Sequence, residues 1–168
     1  MTPAAQTGSG NEQEAVLTFL RKNNPDCKRI DTHASVVLLG SDRVLKIKRA
    51  LRPPFLDYST LEKRQQACKE ELVVNRRFAP KLYRRVVPIT MGENGLEIDG
   101  KGPAIEWAVE MSRFDESKTL DNLAREGDIA PELAEALAVT LLEFPQPRDH
   151  RGYATRARVV ERLSLIHI

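Results

Sequence analysis

The chain has 168 residues, 41% of them hydrophobic and 30% charged, a composition that fits one domain with a buried core and excludes fibrous and wholly disordered classes. Its 26 Lys and Arg against 24 Asp and Glu leave a net charge of +2, so nucleic acid is not the expected partner, since such affinity comes from clustered basic residues that release counterions. The longest apolar runs, such as Ser35 to Leu39, fall far short of the roughly 18 to 20 residues of a membrane span, and Met1 to Gly10 is polar rather than signal-like, so a soluble cytoplasmic protein is expected. Two cysteines, Cys27 and Cys68, cannot build a disulfide framework and lack metal-ligand spacing; both are expected to be reduced, with Cys68 packed in a helix.

Met1 to Gly10 has no apolar period and reads as a disordered tail. From Glu12, residues Val16, Leu17, Phe19 and Leu20 recur at helical spacing, and Asn23-Asn24-Pro25 ends the pattern because proline pushes the residue before it out of the α region. Ser35-Val36-Val37-Leu38-Leu39 and Val44-Leu45-Lys46-Ile47-Lys48 flank the turn formers Gly40-Ser41-Asp42, which predicts an antiparallel hairpin. Arg52-Pro53-Pro54 breaks the pattern, and Ser59-x-x-Glu62 reads as a capping box that opens a helix from Thr60 to Phe78. On that helix Ala67, Glu71, Val74 and Phe78 share a face, so one carboxylate points where core residues point. A strand from Leu82 to Ile89, a type I′ turn at Glu93-Asn94-Gly95, a return from Leu96 to Ile98, a turn from Asp99 to Pro103 and a strand from Ala104 to Met111 follow. Beyond Phe114 helix formers dominate: Leu120 to Glu126, then Glu132 to Phe144 with Leu133, Leu137, Leu141 and Phe144 on one side. Pro145-Gln146-Pro147 stops this helix, and Arg148 to Arg162 carries five arginines.

Lys46 and Lys48 share a face of their strand, because side chains alternate with a period of two. They are either a solvated face on an exposed hairpin or the basic half of an ion pair with an acid on the packed helix, an arrangement that binds phosphate in kinases. Glu71 is the candidate acid. Its alternative is an ordinary surface charge, but a carboxylate on an apolar face costs on the order of several kcal/mol unless it is paired.

His33 to Leu39, Val44-Leu45-Lys46-Ile47-Lys48, Pro54-Phe55-Leu56-Asp57-Tyr58-Ser59-Thr60-Leu61-Glu62, Glu71 with Asn75-Arg76-Arg77, and Ala79 to Tyr83 with Val86 to Thr90 together resemble the amino-terminal part of a bacterial kinase-like family. These are the aminoglycoside-phosphotransferase-like proteins often fused to a carboxy-terminal P-loop ATPase domain. The likeness runs in order from Ile30 to Phe144, and its most specific piece is the Phe-Leu-Asp-Tyr-Ser-Thr-Leu-Glu segment between a lysine strand and a glutamate helix. The resemblance implies an α+β fold: a protein-kinase-like amino-terminal lobe, an antiparallel sheet with one packed helix, followed by the first helices of a truncated carboxy-terminal lobe. It implies that Lys46 neutralises the α- and β-phosphates of ATP and that Glu71 holds Lys46 in place, with Lys48 and Glu70 as the register-shifted alternatives. Thr32-His33-Ala34-Ser35 would form the loop over the phosphates, although no G-x-G-x-x-G occurs and His33 is equally a structural histidine. Met111 would back the adenine, with Ser112-Arg113-Phe114 offering backbone groups to its edge; Trp107 and Phe114 read as core rather than as ligand platforms.

Phosphoryl transfer also needs an Asp that positions the acceptor hydroxyl, and ligands for Mg²⁺. The family's H-G-D-type loop and metal-binding Asp do not occur here: Asp149-His150 is followed by Arg151-Gly152. The catalytic Asp is therefore expected beyond residue 168, no catalytic or metal-ligating residue is assigned within the chain, and these residues alone are expected to be inactive. Leu163-Ser164-Leu165-Ile166-His167-Ile168 is similar to a translated mosaic-end sequencing adaptor, which points to truncation and leaves His167 without a role. The expected organisation is a tail at 1–10, an amino-terminal lobe at 11–114, the start of the helical lobe at 115–162 and an adaptor-derived end at 163–168. The expected function is the nucleotide-binding half of an ATP-dependent phosphotransferase acting on a small-molecule hydroxyl. The alternatives are a non-catalytic nucleic-acid or protein-binding module that uses Arg76, Arg77, Arg84, Arg85 and the arginines from Arg148 to Arg162, or a pseudokinase scaffold.

Overall fold

Branched apolar residues on either side of Gly40-Ser41-Asp42 form the expected hairpin of β2 (Ser35–Leu39) and β3 (Arg43–Lys48) in the computed structural model, which describes residues 7–127 and 129–142. The Gly40 N–H closes the turn onto the Arg43 carbonyl at 2.9 Å, and a Cβ on Gly40 would lie 2.0 Å from Asn24 Nδ2, so a larger residue would have to displace the Asn24 side chain. Around this hairpin stand α1 (Thr7–Lys22), β1 (Lys28–Asp31), α2 (Leu61–Arg76), β4 (Tyr83–Gly92), β5 (Gly95–Ile98) and β6 (Ala104–Ser112). The six strands form one antiparallel sheet in the order β1-β2-β3-β6-β4-β5, with β6 inserted between β3 and β4. The chain divides into two units, Met1–Phe114 and Asp115–Ile168. In the second lie a 3₁₀ turn (Glu116–Lys118), α3 (Leu120–Glu126) and α4 (Pro131–Leu142). This is an α+β chain with four α-helices among the described residues, and no helix there is long and apolar enough to cross a membrane.

Alternation along the strands decides what each face meets. Val36 and Leu38, Leu45 and Ile47, Val87 and Ile89, and Ala108 form one face, and Val16, Leu17 and Leu20 of α1 seal it. At about 1.5–3 kcal/mol for each large apolar side chain fully buried, these three α1 residues make the helix an integral layer. The opposite face meets α2. The sheet therefore carries a helix on each face, where the sequence led to one packed helix, and α1 starts at Thr7, inside the segment read as a tail.

Several boundaries shift for local reasons. β1 was not foreseen: it is a four-residue edge strand, Lys-Arg-Ile-Asp, paired to β2 alone, with no apolar alternation to announce it. The α2 cap is Thr60, whose hydroxyl accepts from Lys63 N–H at 3.3 Å; Ser59 is turned aside because its own N–H and hydroxyl donate to Asp57 at 3.1 and 2.6 Å. The inward face of α2 is Arg64, Ala67, Cys68, Glu71 and Asn75, and Phe78, assigned to that face from the sequence, is exposed. Positive φ among described non-glycine residues occurs only at Asp99, so Asn94 rules out a type I′ turn, and Gly95 takes the positive φ instead.

Beyond the last β3–β6 pair, Ile47 with Ala108, the Glu106 carboxylate lies 1% exposed and bound from both helices. Arg64 Nε of α2 reaches it at 2.9 and 3.0 Å and Gln13 Nε2 of α1 at 2.7 Å. Glu106→Ala is expected to destabilise the chain by about 3–5 kcal/mol, because it strands a buried guanidinium, whereas Glu106→Leu with Arg64→Met costs much less. Urea denaturation of both variants checks this, and equal losses would contradict it.

Candidate functional site

β3 presents Leu45 and Ile47 to α1, so its intervening side chains, Lys46 and Lys48, face α2. There α2 brings Glu71 onto them: Lys46 Nζ lies 3.0 Å from Glu71 Oε1 and Lys48 Nζ lies 2.5 Å from Oε2. All three side chains are 3–4% exposed, so the reading of a solvated lysine face fails. Both candidate lysines meet the same carboxylate, whereas Glu70 is exposed and accepts from Gln66 at 3.0 Å. Each oxygen of the carboxylate has its own ammonium, Lys46 on Oε1 and the closer Lys48 on Oε2.

Burial by itself would raise the Glu71 carboxyl, but the ammonium groups of Lys46 and then Lys48 outweigh it and hold the carboxyl at about 2, below its ordinary 4.5. Burial also pushes the Cys68 thiol up to about 12, which keeps it unreactive, and raises the Tyr83 phenol above its usual range. Both cysteines are free.

The other predicted residues fall along the same face or at its ends. Ser35 is the strand partner of Lys48, so the turn from Thr32 to Ala34 stands at the Lys48 end. Inside that turn the Thr32 N–H donates to the Ser35 carbonyl at 2.9 Å and the Ser35 N–H to the Thr32 hydroxyl at 3.0 Å, which occupies both amides; His33 is exposed. Met111 is 1% exposed and paired to Val44 and Tyr83, which places it on the lysine face, two residues (~7 Å) along from Lys46. Ser112 is engaged locally: its N–H donates to the Leu82 carbonyl at 2.8 Å, its hydroxyl donates to the Lys81 carbonyl at 2.9 Å and accepts from Arg84 Nε at 3.0 Å. Phe114 is half-buried, and its carbonyl accepts from Arg113 Nη1. Lys46, Lys48, Glu71, Ser35 and Met111 thus share one face, with Thr32 and His33 at one end and Ser112 and Phe114 at the other.

Sequence reasoning missed Tyr58. Its ring centroid lies 5.3 Å from Lys48 Nζ, a cation–π contact, and Tyr58 is 4% exposed. It also missed Arg64, whose signal was spacing: positions 64, 67, 68, 71 and 75 repeat on one helical face. The described arginines of the binding-module alternative, Arg76, Arg77, Arg84 and Arg85, are all exposed. Arg84 and Arg85 meet Glu110 at 3.5 and 3.2 Å, Arg85 also pairs with Asp99, and Arg76 donates to the Tyr83 carbonyl at 3.1 Å. Arg148 to Arg162, the last turn of the predicted helix to Phe144, and 163–168 lie outside the described residues.

No protein-family model matches the chain, and no solved structure matches it. Curated relatives include uncharacterized proteins of Mycobacterium bovis and of two strains of Mycobacterium tuberculosis, each 29% identical over 116 residues. The alignment covers 69% of this chain and 22% of each relative, so the chain spans about a fifth of the length of the curated relatives it matches.

Because the folded Glu71 carboxyl titrates below its unfolded value, its contribution to stability is complete above 4.5 and is lost as pH falls towards about 2. Glu71→Gln is expected to flatten the pH dependence of stability in that window. At neutral pH the variant loses about 3–5 kcal/mol, since two buried ammonium groups lose their counter-ion. Denaturant unfolding followed downward from neutral pH measures both effects, and an unchanged acid limb would contradict the assignment.

Proposed function

We propose that this chain is the nucleotide-binding part of a cytoplasmic ATP-dependent phosphotransferase acting on a small-molecule hydroxyl, built on a protein-kinase-like amino-terminal lobe. The observation that carries the reading is the buried contact of Lys46 on β3 with Glu71 on the helix that follows, at 3.0 Å. Phosphoryl transfer is catalysed largely by positioning and by neutralising phosphate charge, and a lysine on the third strand held by a glutamate of the next helix is the part that does so in kinases. Such a pair is a poor device for stability, because desolvating both ions offsets their attraction. A phosphate-binding role gives it a reason.

ATP fits the donor set of this face. Lys46 would meet the α- and β-phosphates, and Met111, ~7 Å along by strand spacing, would lie against the base. The Thr32 and Ser35 amides are spent inside their turn, so those two would not join the ammonium groups on the phosphates. Of the linker groups that could meet the adenine edge, the Ser112 N–H is taken by the Leu82 carbonyl. Among the described residues no group of three or more His, Cys, Asp or Glu could hold a metal, and the 168 residues contain no H-G-D-type loop. The reading assigns the acceptor-positioning Asp and the Mg²⁺ ligands to sequence outside this chain.

Titration of the chain with a fluorescent N-methylanthraniloyl ATP tests the proposal. Binding that ATP displaces, weakened at least tenfold by Lys46→Met in a variant that remains folded, is the expected result. Equal affinity of variant and wild type would overturn it. ATP hydrolysis by residues 1–168 would overturn the assignment of the catalytic loop to sequence elsewhere.

A further inference from the structure

The Glu71 carboxylate has two lysines on it, and the surroundings of the two differ. Lys48 is fixed at both ends of its length. Its carbonyl accepts from Gln13 Nε2 at 2.8 Å, and the Gln13 Oε1 takes the Ala50 N–H at 3.0 Å, so α1 clamps the backbone there. Its ammonium sits 2.5 Å from Glu71 Oε2 and over the ring of Tyr58. Tyr58 is itself anchored, its N–H donating to the Leu51 carbonyl at 2.9 Å and its carbonyl accepting from Arg64 Nη1 at 3.2 Å. Lys46 lies two residues nearer Met111 and sits 3.0 Å from Oε1, a longer contact than the 2.5 Å of Lys48 to Oε2. A carboxylate gripped by one lysine alone would follow that lysine when it turned to an anion. A carboxylate gripped at its other oxygen stays in place.

Resting on the nucleotide reading above, we infer that Lys48 is a positioning residue: it holds Glu71 through Oε2, so that Lys46 alone is released to phosphate while the carboxylate remains ionised and oriented. The charged and titratable groups around Glu71 are Lys46 and Lys48 from β3, Tyr83 from β4 and Cys68 on α2, with Glu106 of β6 beyond Cys68 and paired to Arg64. Of these only the two lysines bring positive charge to within 3.0 Å of the carboxylate.

Two measurements on the whole chain test this separately from nucleotide binding. With glutamate carboxyls labelled in ¹³C and Glu71 assigned through Glu71→Gln, Lys48→Met is expected to raise the pH at which Glu71 protonates by at least one unit, tenfold in proton affinity, while Lys48→Arg keeps it low. Equal midpoints in wild type and Lys48→Met overturn the inference whatever the ligand. The second measurement uses an adenosine analogue carrying a 5′-sulfonyl fluoride. An uncharged lysine amine forms an S–N bond with it, fluoride leaves, and the amine proton goes to solvent. Modification of Lys46, blocked by ATP, slowed at least tenfold by Lys48→Met and restored by Lys48→Arg, supports the division of roles. Modification of Lys48 in place of Lys46 overturns that division and leaves nucleotide binding standing. Modification of neither lysine overturns the nucleotide reading and with it the role of Lys48 towards phosphate, and the carboxylate titration then decides whether Lys48 holds Glu71.

Discussion

One carboxylate enclosed between a strand and a helix, with an ammonium on each oxygen, is the constraint around which the amino-terminal unit is arranged. Each of these charges is costly to remove from water, and none would be tolerated without its partners. Their geometry therefore fixes three things together: the register of β3, which must send residues 46 and 48 to one side; the rotation of α2, which must point residue 71 inward; and the closure of the loop that sets Tyr58 against Lys48. A one-residue slip of β3 would put Leu45 and Ile47 on the ions and two ammonium groups into the apolar layer beneath α1.

The two helices are held by different physics. α1 is docked by apolar burial through Val16, Leu17 and Leu20, with Gln13 as its polar contact to the sheet. α2 buries only Ala67 and Cys68 as apolar side chains, and its remaining inward positions are Arg64, Glu71 and Asn75. Arg64 ties it to Glu106 of β6, Glu71 to β3, and Arg76 to the Tyr83 carbonyl of β4. Dispersion packing is tolerant of small sliding, whereas charge-assisted hydrogen bonds fix direction as well as distance. The position of α2 is set chiefly by its charged contacts.

Much of this was legible from residue pattern. The hairpin, the long helix, and the placement of Glu71 and the lysines on facing surfaces follow from periods of two and 3.6 in the sequence, and these periods survive because both faces of the sheet are buried. What was not legible fails for identifiable reasons. β1 is short, polar and at an edge, where pairing to β2 rather than burial makes it a strand. The second packed helix was hidden because Val16, Leu17 and Leu20 announce an amphipathic helix without saying which layer it covers. The cap moved by one residue because Asp57 competes for Ser59, a local contest that a spacing rule does not weigh. The choice between Lys46 and Lys48 stayed open because alternation assigns a face but not a partner. The fold answers by giving each lysine its own oxygen.

The sharing of Glu71 also bears on how this face would meet phosphate without glycine-rich backbone. A glycine-rich loop offers amide donors that carry only partial charge and need little desolvation to be ready. Here the amides of Thr32 and Ser35 are consumed within their own turn, and the full charges of Lys46 and Lys48 would supply positive potential that those two amides do not. Two buried ammonium groups on one strand face would repel each other if left alone. Glu71 lies between them with an ammonium on each oxygen, and its own ionisation is kept by both. The two lysines thus share one carboxylate, and the Tyr58 ring adds a second contact to Lys48.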